Sequence, residues 1–162
     1  MSHIAACILA LSTLGTAADG SLRYSRQLRT EGPVTRSAWL SDAVRDVASA
    51  FLLDPHLLVA LAWHESAFDR DRVSSTGARS IMQLTGKLGA RYDRDCAMVG
   101  HPWACDYVAL VIGAGELSRG LAECGDEAGA VSWYRAGRCG LRDTWHVRQV
   151  MATRDELAWG AP

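Results

Sequence analysis

Lysine is almost missing from this 162-residue sequence: Lys87 stands alone, and arginine supplies the other 16 of the 17 basic residues. Genomic composition accounts for that preference more simply than recognition of planar anions does. With 18 acidic residues the formal net charge is −1, so no positive field marks the chain as a binder of nucleic acid or of an anionic membrane. No apolar run approaches the roughly 20 residues that a comfortable membrane span needs. There is no Cys-x-x-Cys pair, which excludes a zinc knuckle. His64-Glu65 is not followed by a second His at position 68, which is Phe, so the zincin helix is excluded too. No glycine-rich phosphate cradle and no nucleophile elbow are present, and neither metal nor organic cofactor is expected. Sustained alternation, internal repeats and low-complexity tracts are also missing, which leaves an all-α domain.

A hydrophobic content of 49% gives this chain enough apolar surface for one compact core. Its first 18 residues hold a short apolar stretch from Ile4 to Gly15, followed by the small residues Thr16, Ala17 and Ala18. That order predicts a secretory signal over residues 1–18, hence an exported protein, periplasmic or extracellular, although the three residues before the stretch carry no Lys or Arg. Residues 19–36 are rich in Arg, Ser, Thr and Gly and are read as a flexible segment, with the domain running from 37 to 162. Removing the leader takes Cys7 away and leaves Cys96, Cys105, Cys124 and Cys139, an even set suited to an oxidising compartment. Cys105 and Cys124 fall near opposite ends of one expected helix, about 28 Å apart at 1.5 Å per residue, so they cannot pair. Cys96 with Cys105 and Cys124 with Cys139 is the preferred pairing; Cys96 with Cys124 and Cys105 with Cys139 stays open.

The spacing of Leu40, Val44, Val47, Ala48 and Phe51 predicts an amphipathic helix from Ser37 to about Leu53. Asp54-Pro55 signals a restart, because Asp accepts an orphan amide at an N-cap and Pro has none to waste at the first helical position. The next helix, from Pro55 to Phe68, is apolar nearly all round and has to be buried. A polar turn follows, then helical character from Ala78 to Tyr92 broken at Gly86 and Gly89, and a loop from Asp93 to Asp106. Further helices are expected over Asp106–Glu123, Asp126–Ala136 and Arg142–Trp159.

Glu65 is the anomaly, a carboxyl group within the apolar second helix. Apolar surroundings disfavour a carboxylate's charge, and a carboxyl group kept protonated near neutrality is the general acid that glycosidic cleavage requires. A surface glutamate on a polar stripe beside His64 is the competing reading. The sequence resembles the lytic transglycosylases, with their soluble-lytic-transglycosylase, lysozyme-like domain, in three ordered blocks. These are His64-Glu65-Ser66 with Phe68, then Ser75 to Leu84, then Ala130 to Gly137. The resemblance implies a lysozyme-like helical fold with Glu65 as the acid at the end of a buried helix, Ser66 and Gln83 as hydrogen-bonders in the cleft, and Tyr134 as the phenol nearest the carboxyl. Two positions depart from the family pattern: Ser80 stands where it has glycine, and Arg135 where it has asparagine.

By the same resemblance the substrate is the glycan strand of peptidoglycan. Glu65 would protonate the oxygen between N-acetylmuramic acid and N-acetylglucosamine, and the muramic C6 hydroxyl would then close a 1,6-anhydro ring. A monomer is expected; wall turnover, service to a secretion or conjugation apparatus as partner, and a phage-derived role all stay open. A hydrolytic lysozyme is the nearest alternative, with Asp69 or Asp71 as the second carboxylate. A catalytically silent glycan-binding module is the other, and Arg135, placed to contact the glycan, keeps it in play.

Overall fold

The computed structural model describes residues 36–159, so the expected leader and all but the last residue of the segment after it lie outside the described residues. Six helices are present among them: α1 (Arg36–Ala50), α2 (Pro55–Ser66), α3 (Gly86–Val99), α4 (Pro102–Cys124), α5 (Glu127–Ala136) and α6 (Trp145–Trp159). No helix of the described residues is long and apolar enough to cross a membrane.

In α1 the residues Trp39, Ala43, Val44, Val47 and Ala48 repeat at helical spacing and are all buried. The chain leaves the helix through Leu52, whose φ is +55°, and the Leu53 amide returns to the Ala48 carbonyl at 2.9 Å. Asp54 then caps α2 as its sequence predicts, accepting the His56 amide at 2.8 Å with Pro55 in the first turn. Leu57, Leu58, Ala60, Leu61 and Ala62 are buried, which leaves α2 little polar surface except near its C-terminal end.

The 23-residue α4 is the axis of the domain, buried almost continuously from Ala104 to Ala114 and packed against α1, α3 and α5. His101 caps it through the Trp103 amide. Gly120 lets α5 approach closely: a Cβ there would lie 2.9 Å from the Trp133 Cβ and 3.0 Å from the Ala130 carbonyl oxygen. The α2 helix packs mainly on α6, and α5 also touches α6, so the C-terminal ends of α2 and α5 and the start of α6 form one corner.

Two expectations fail in the middle of the chain. Ala78–Thr85 is not helical; Arg79 and Leu84 exchange both backbone hydrogen bonds, at 3.2 and 2.8 Å, and close a tight turn. A helix begins only at Gly86, because tertiary bonding of the turn outweighs local propensity. The expected loop over 93–106 is mostly helix as well, with only Gly100 and His101 separating α3 from α4. Cys96 and Cys105 sit on those two helices and are joined, with Cα atoms 4.8 Å apart. Cys124 and Cys139 are joined across α5, with Cα atoms 5.4 Å apart. The preferred pairing is the one present.

Candidate active site

Glu65 is the penultimate residue of α2, and its side chain is 15% exposed. The helix ends abruptly after it, because Ala67 and Phe68 both take positive φ, +53° and +60°. Arg36 fixes this exit by donating to the Phe68 carbonyl at 2.9 Å. Arg36 and Arg70 both pair with buried Asp106, at 3.2 and 2.6 Å. Burial raises the Asp106 carboxyl above its usual range, with the two guanidinium groups acting in the opposite direction.

The turn carrying the second block is tied to the end of α2 from behind. Ser66, expected in the cleft, is 1% exposed and donates to the Ile81 carbonyl at 2.8 Å. It is placed inside the wall and holds that wall in position. Gly77, at φ +79°, makes the preceding bend. Ser80 is buried with φ +73°, a conformation that suits glycine better than serine. Its hydroxyl accepts the Met82 amide at 3.3 Å. Ser80→Ala keeps the backbone strain and loses this bond, costing about 1 kcal/mol. Ser80→Gly loses the same bond but relieves the strain, and is expected to be about 1 kcal/mol more stable than the alanine variant. Urea denaturation midpoints check the order; alanine above glycine contradicts it.

A cleft of about 350 Å³ opens in front of Glu65, lined also by Ser74, Thr76, Ala78, Gln83, Thr85, Tyr134 and Arg135. Three of the four other residues singled out from the sequence, Gln83, Tyr134 and Arg135, thus share the cleft with the carboxyl. Gln83 is steadied by two bonds from its amide nitrogen, to the carbonyls of Arg72 and Ser80 at 3.0 and 3.1 Å. The Tyr134 hydroxyl donates to the Met82 carbonyl at 2.7 Å, so it pins the turn. Burial, then the charges of Glu65 and Glu116, push that phenol well above its ordinary value. It therefore keeps its proton at neutral pH. Arg135 is exposed in the last turn of α5.

The carboxylates weighed as partners for a hydrolase lie elsewhere. Asp69 and Asp71 are exposed and line a separate cavity with Arg36, Phe68, Arg70 and Trp103. Asp69 accepts the Asp71 amide at 3.0 Å, a local turn bond.

A match to the family model described as Transglycosylase SLT domain spans residues 42–153. The chain belongs to this family. No curated protein matches the chain at a significant level. For this SLT domain, the match takes in the three blocks that carried the resemblance, and with them α2, the 79–84 turn, α5 and the first part of α6.

One neighbour of Glu65 in this SLT domain lies outside all three blocks. His146, on α6 and 8% exposed, brings its Nε2 to 3.3 Å from the Glu65 Oε1. This is ion-pair distance, but the atoms are not aligned as a hydrogen bond, and Nε2 is buried without one. Leaving a buried polar atom unbonded costs about 1–3 kcal/mol. His64 stands edge-on to His146, with ring centroids 6.4 Å apart, and its Nε2 is 2.8 Å from the Thr153 hydroxyl. Burial, then the neighbouring His146, hold the His64 imidazole below its ordinary value, while a Gln149 backbone bond and Glu65 act the other way. The signal for His146 was its place beside Val147 and Val150 on the buried face of α6.

Proposed function

We propose that this SLT domain is an exported lytic transglycosylase that cleaves the β-1,4 bond between N-acetylmuramic acid and N-acetylglucosamine in peptidoglycan without water. Glu65 gives its proton to the glycosidic oxygen as the bond to C1 of the muramic residue breaks and positive charge develops on that sugar. The carboxylate so formed accepts the proton of the muramic C6 hydroxyl, whose oxygen bonds to C1. One proton leaves Glu65 and one returns, and the product carries a 1,6-anhydro ring. A nucleophile within the substrate gains the entropic advantage of an intramolecular attack, so a single protein carboxyl suffices.

The observation that carries this reading is the lining of the cleft: Glu65 is its one carboxyl group among the described residues, and the two aspartates nearest in sequence line a different cavity. A hydrolase would need a second carboxylate to activate water or to stabilise the sugar cation. Digestion of purified sacculi followed by mass analysis of the products tests the assignment. Anhydromuropeptides, lighter than the hydrolytic products by one water, support it; reducing-end muropeptides make the enzyme a lysozyme, and no release leaves a silent glycan-binding module.

Arg135, in the family's asparagine place, gives the cleft a guanidinium. It can form a charge-assisted, two-pronged contact with a lactyl or peptide carboxylate beside the scissile bond, which asparagine cannot. Binding of Glu65→Gln protein to sacculi is therefore expected to weaken as salt rises, and adding Arg135→Asn should flatten that dependence. An unchanged salt profile removes Arg135 from substrate recognition.

A further inference from the structure

We propose that His146 is the positioning residue for the Glu65 carboxyl, serving both of its protonation states in turn. The proposal deepens the transglycosylase reading and rests on it. Its basis is geometric. The imidazole is almost fully enclosed by α2 and α6 packing, its Nε2 faces Oε1 at 3.3 Å, and that nitrogen has no hydrogen bond elsewhere.

Several polar side chains of this corner are engaged elsewhere. The Tyr134 hydroxyl is directed to the Met82 carbonyl, and the His64 Nε2 to Thr153. Arg154, on the same helix as His146, is held by Glu127 and Asp155. Gln83 directs its amide nitrogen to two backbone carbonyls. Among the described residues, His146 is the side chain that approaches the Glu65 carboxyl directly, at 3.3 Å.

An imidazole suits both halves of the reaction. As the Nε2–H tautomer the ring donates to Oε1 in both states: in the acid it leaves the proton on Oε2, facing the glycosidic oxygen, and once that proton has gone it holds the carboxylate until the C6 hydroxyl returns one, with no proton moving on or off the imidazole. A small rotation or shift converts the present approach into an aligned bond, as substrate closure does for loose contacts in empty sites. The edge-on packing of His64 restrains the ring.

The test compares His146→Phe, which keeps the ring's bulk without its nitrogens, with His146→Gln, whose amide can accept or donate near the Nε2 position. His146→Phe is expected to lower kcat roughly 10-fold or more while changing KM less than about 3-fold, since it disturbs proton transfer rather than glycan binding. His146→Gln should restore kcat to within about 3-fold of wild type. Equal rates in all three proteins overturn the proposal, and so does a loss shared by both variants that tracks their stability. If wild type releases nothing from sacculi, it is the transglycosylase reading that fails. The contact itself is read without turnover by imidazole ¹⁵N resonances. Those of His146 should move on Glu65→Gln while those of His56, paired with Asp54, stay fixed; a stationary His146 overturns the proposal.

Discussion

Replacing Glu65 with glutamine is expected to leave a folded protein that has lost nearly all release of muropeptides. The exchange is nearly isosteric, and Glu65 sits at the end of α2, with Ser66 and Ala62 forming the inner packing. The cost in stability should stay within about 1 kcal/mol, the scale of one altered hydrogen bond. The chemistry fares differently. An amide can neither give a proton to the leaving oxygen nor take one from the C6 hydroxyl, and such transfers are worth about 10²–10⁴-fold in rate, roughly 3 to 5 kcal/mol of barrier. Circular dichroism and a denaturation curve check the fold, and a turbidity assay on sacculi checks the rate. Full activity in the variant removes Glu65 from the mechanism; unfolding of the variant makes it a structural residue.

Opening the bond between Cys124 and Cys139 should have the largest effect on stability. Its 15-residue separation encloses the whole of α5, the helix that presents Tyr134 and Arg135 to the cleft. A cross-link closing a loop of that size restricts the unfolded chain by about 3 kcal/mol. Asp126 and Arg142 also clasp this segment, with Arg142 reaching the Cys124 and Cys139 carbonyls at 3.0 Å each, so the native arrangement should persist after reduction while its margin shrinks. The paired substitution Cys124→Ala and Cys139→Ala is expected to lower Tm by about 10 °C. A shift below about 2 °C contradicts this account of the bridge.

How far the sequence discloses the molecule depends on how local each determinant is. Asp54 and Pro55 announce α2 because a cap is made within a few residues, and the apolar spacing from Trp39 to Ala48 announces α1 in the same way. The turn from Arg79 to Leu84 carries helical spacing but is not helix, because what holds it is distant: the Ser66 hydroxyl on Ile81 and the Tyr134 hydroxyl on Met82. No window around Ile81 contains either partner. Cys96 falls in an expected loop because the short break at Gly100 and His101 is spread over its neighbours; helix length excludes only a Cys105–Cys124 bond, and of the two pairings left open the preferred one is present.

In the site, Glu65 was legible as a charge in an apolar helix, and Gln83, Tyr134 and Arg135 through their blocks. Ser66 lies behind the wall and not in the cleft, since its neighbour Glu65 faces the cleft while the next residue turns inward. His146 escaped notice because a single histidine on a helix remote in sequence carries no motif. Only the packing of α6 on α2 brings it to Glu65.

The central claim is that one carboxyl group in this SLT-domain cleft cleaves glycan strands without water. Mass spectrometry of wild-type digests of purified sacculi, made in H₂¹⁸O, tests it most directly. The account predicts muropeptides one water lighter than hydrolytic products and free of ¹⁸O at the new muramic end. Reducing-end muropeptides carrying one ¹⁸O would contradict it.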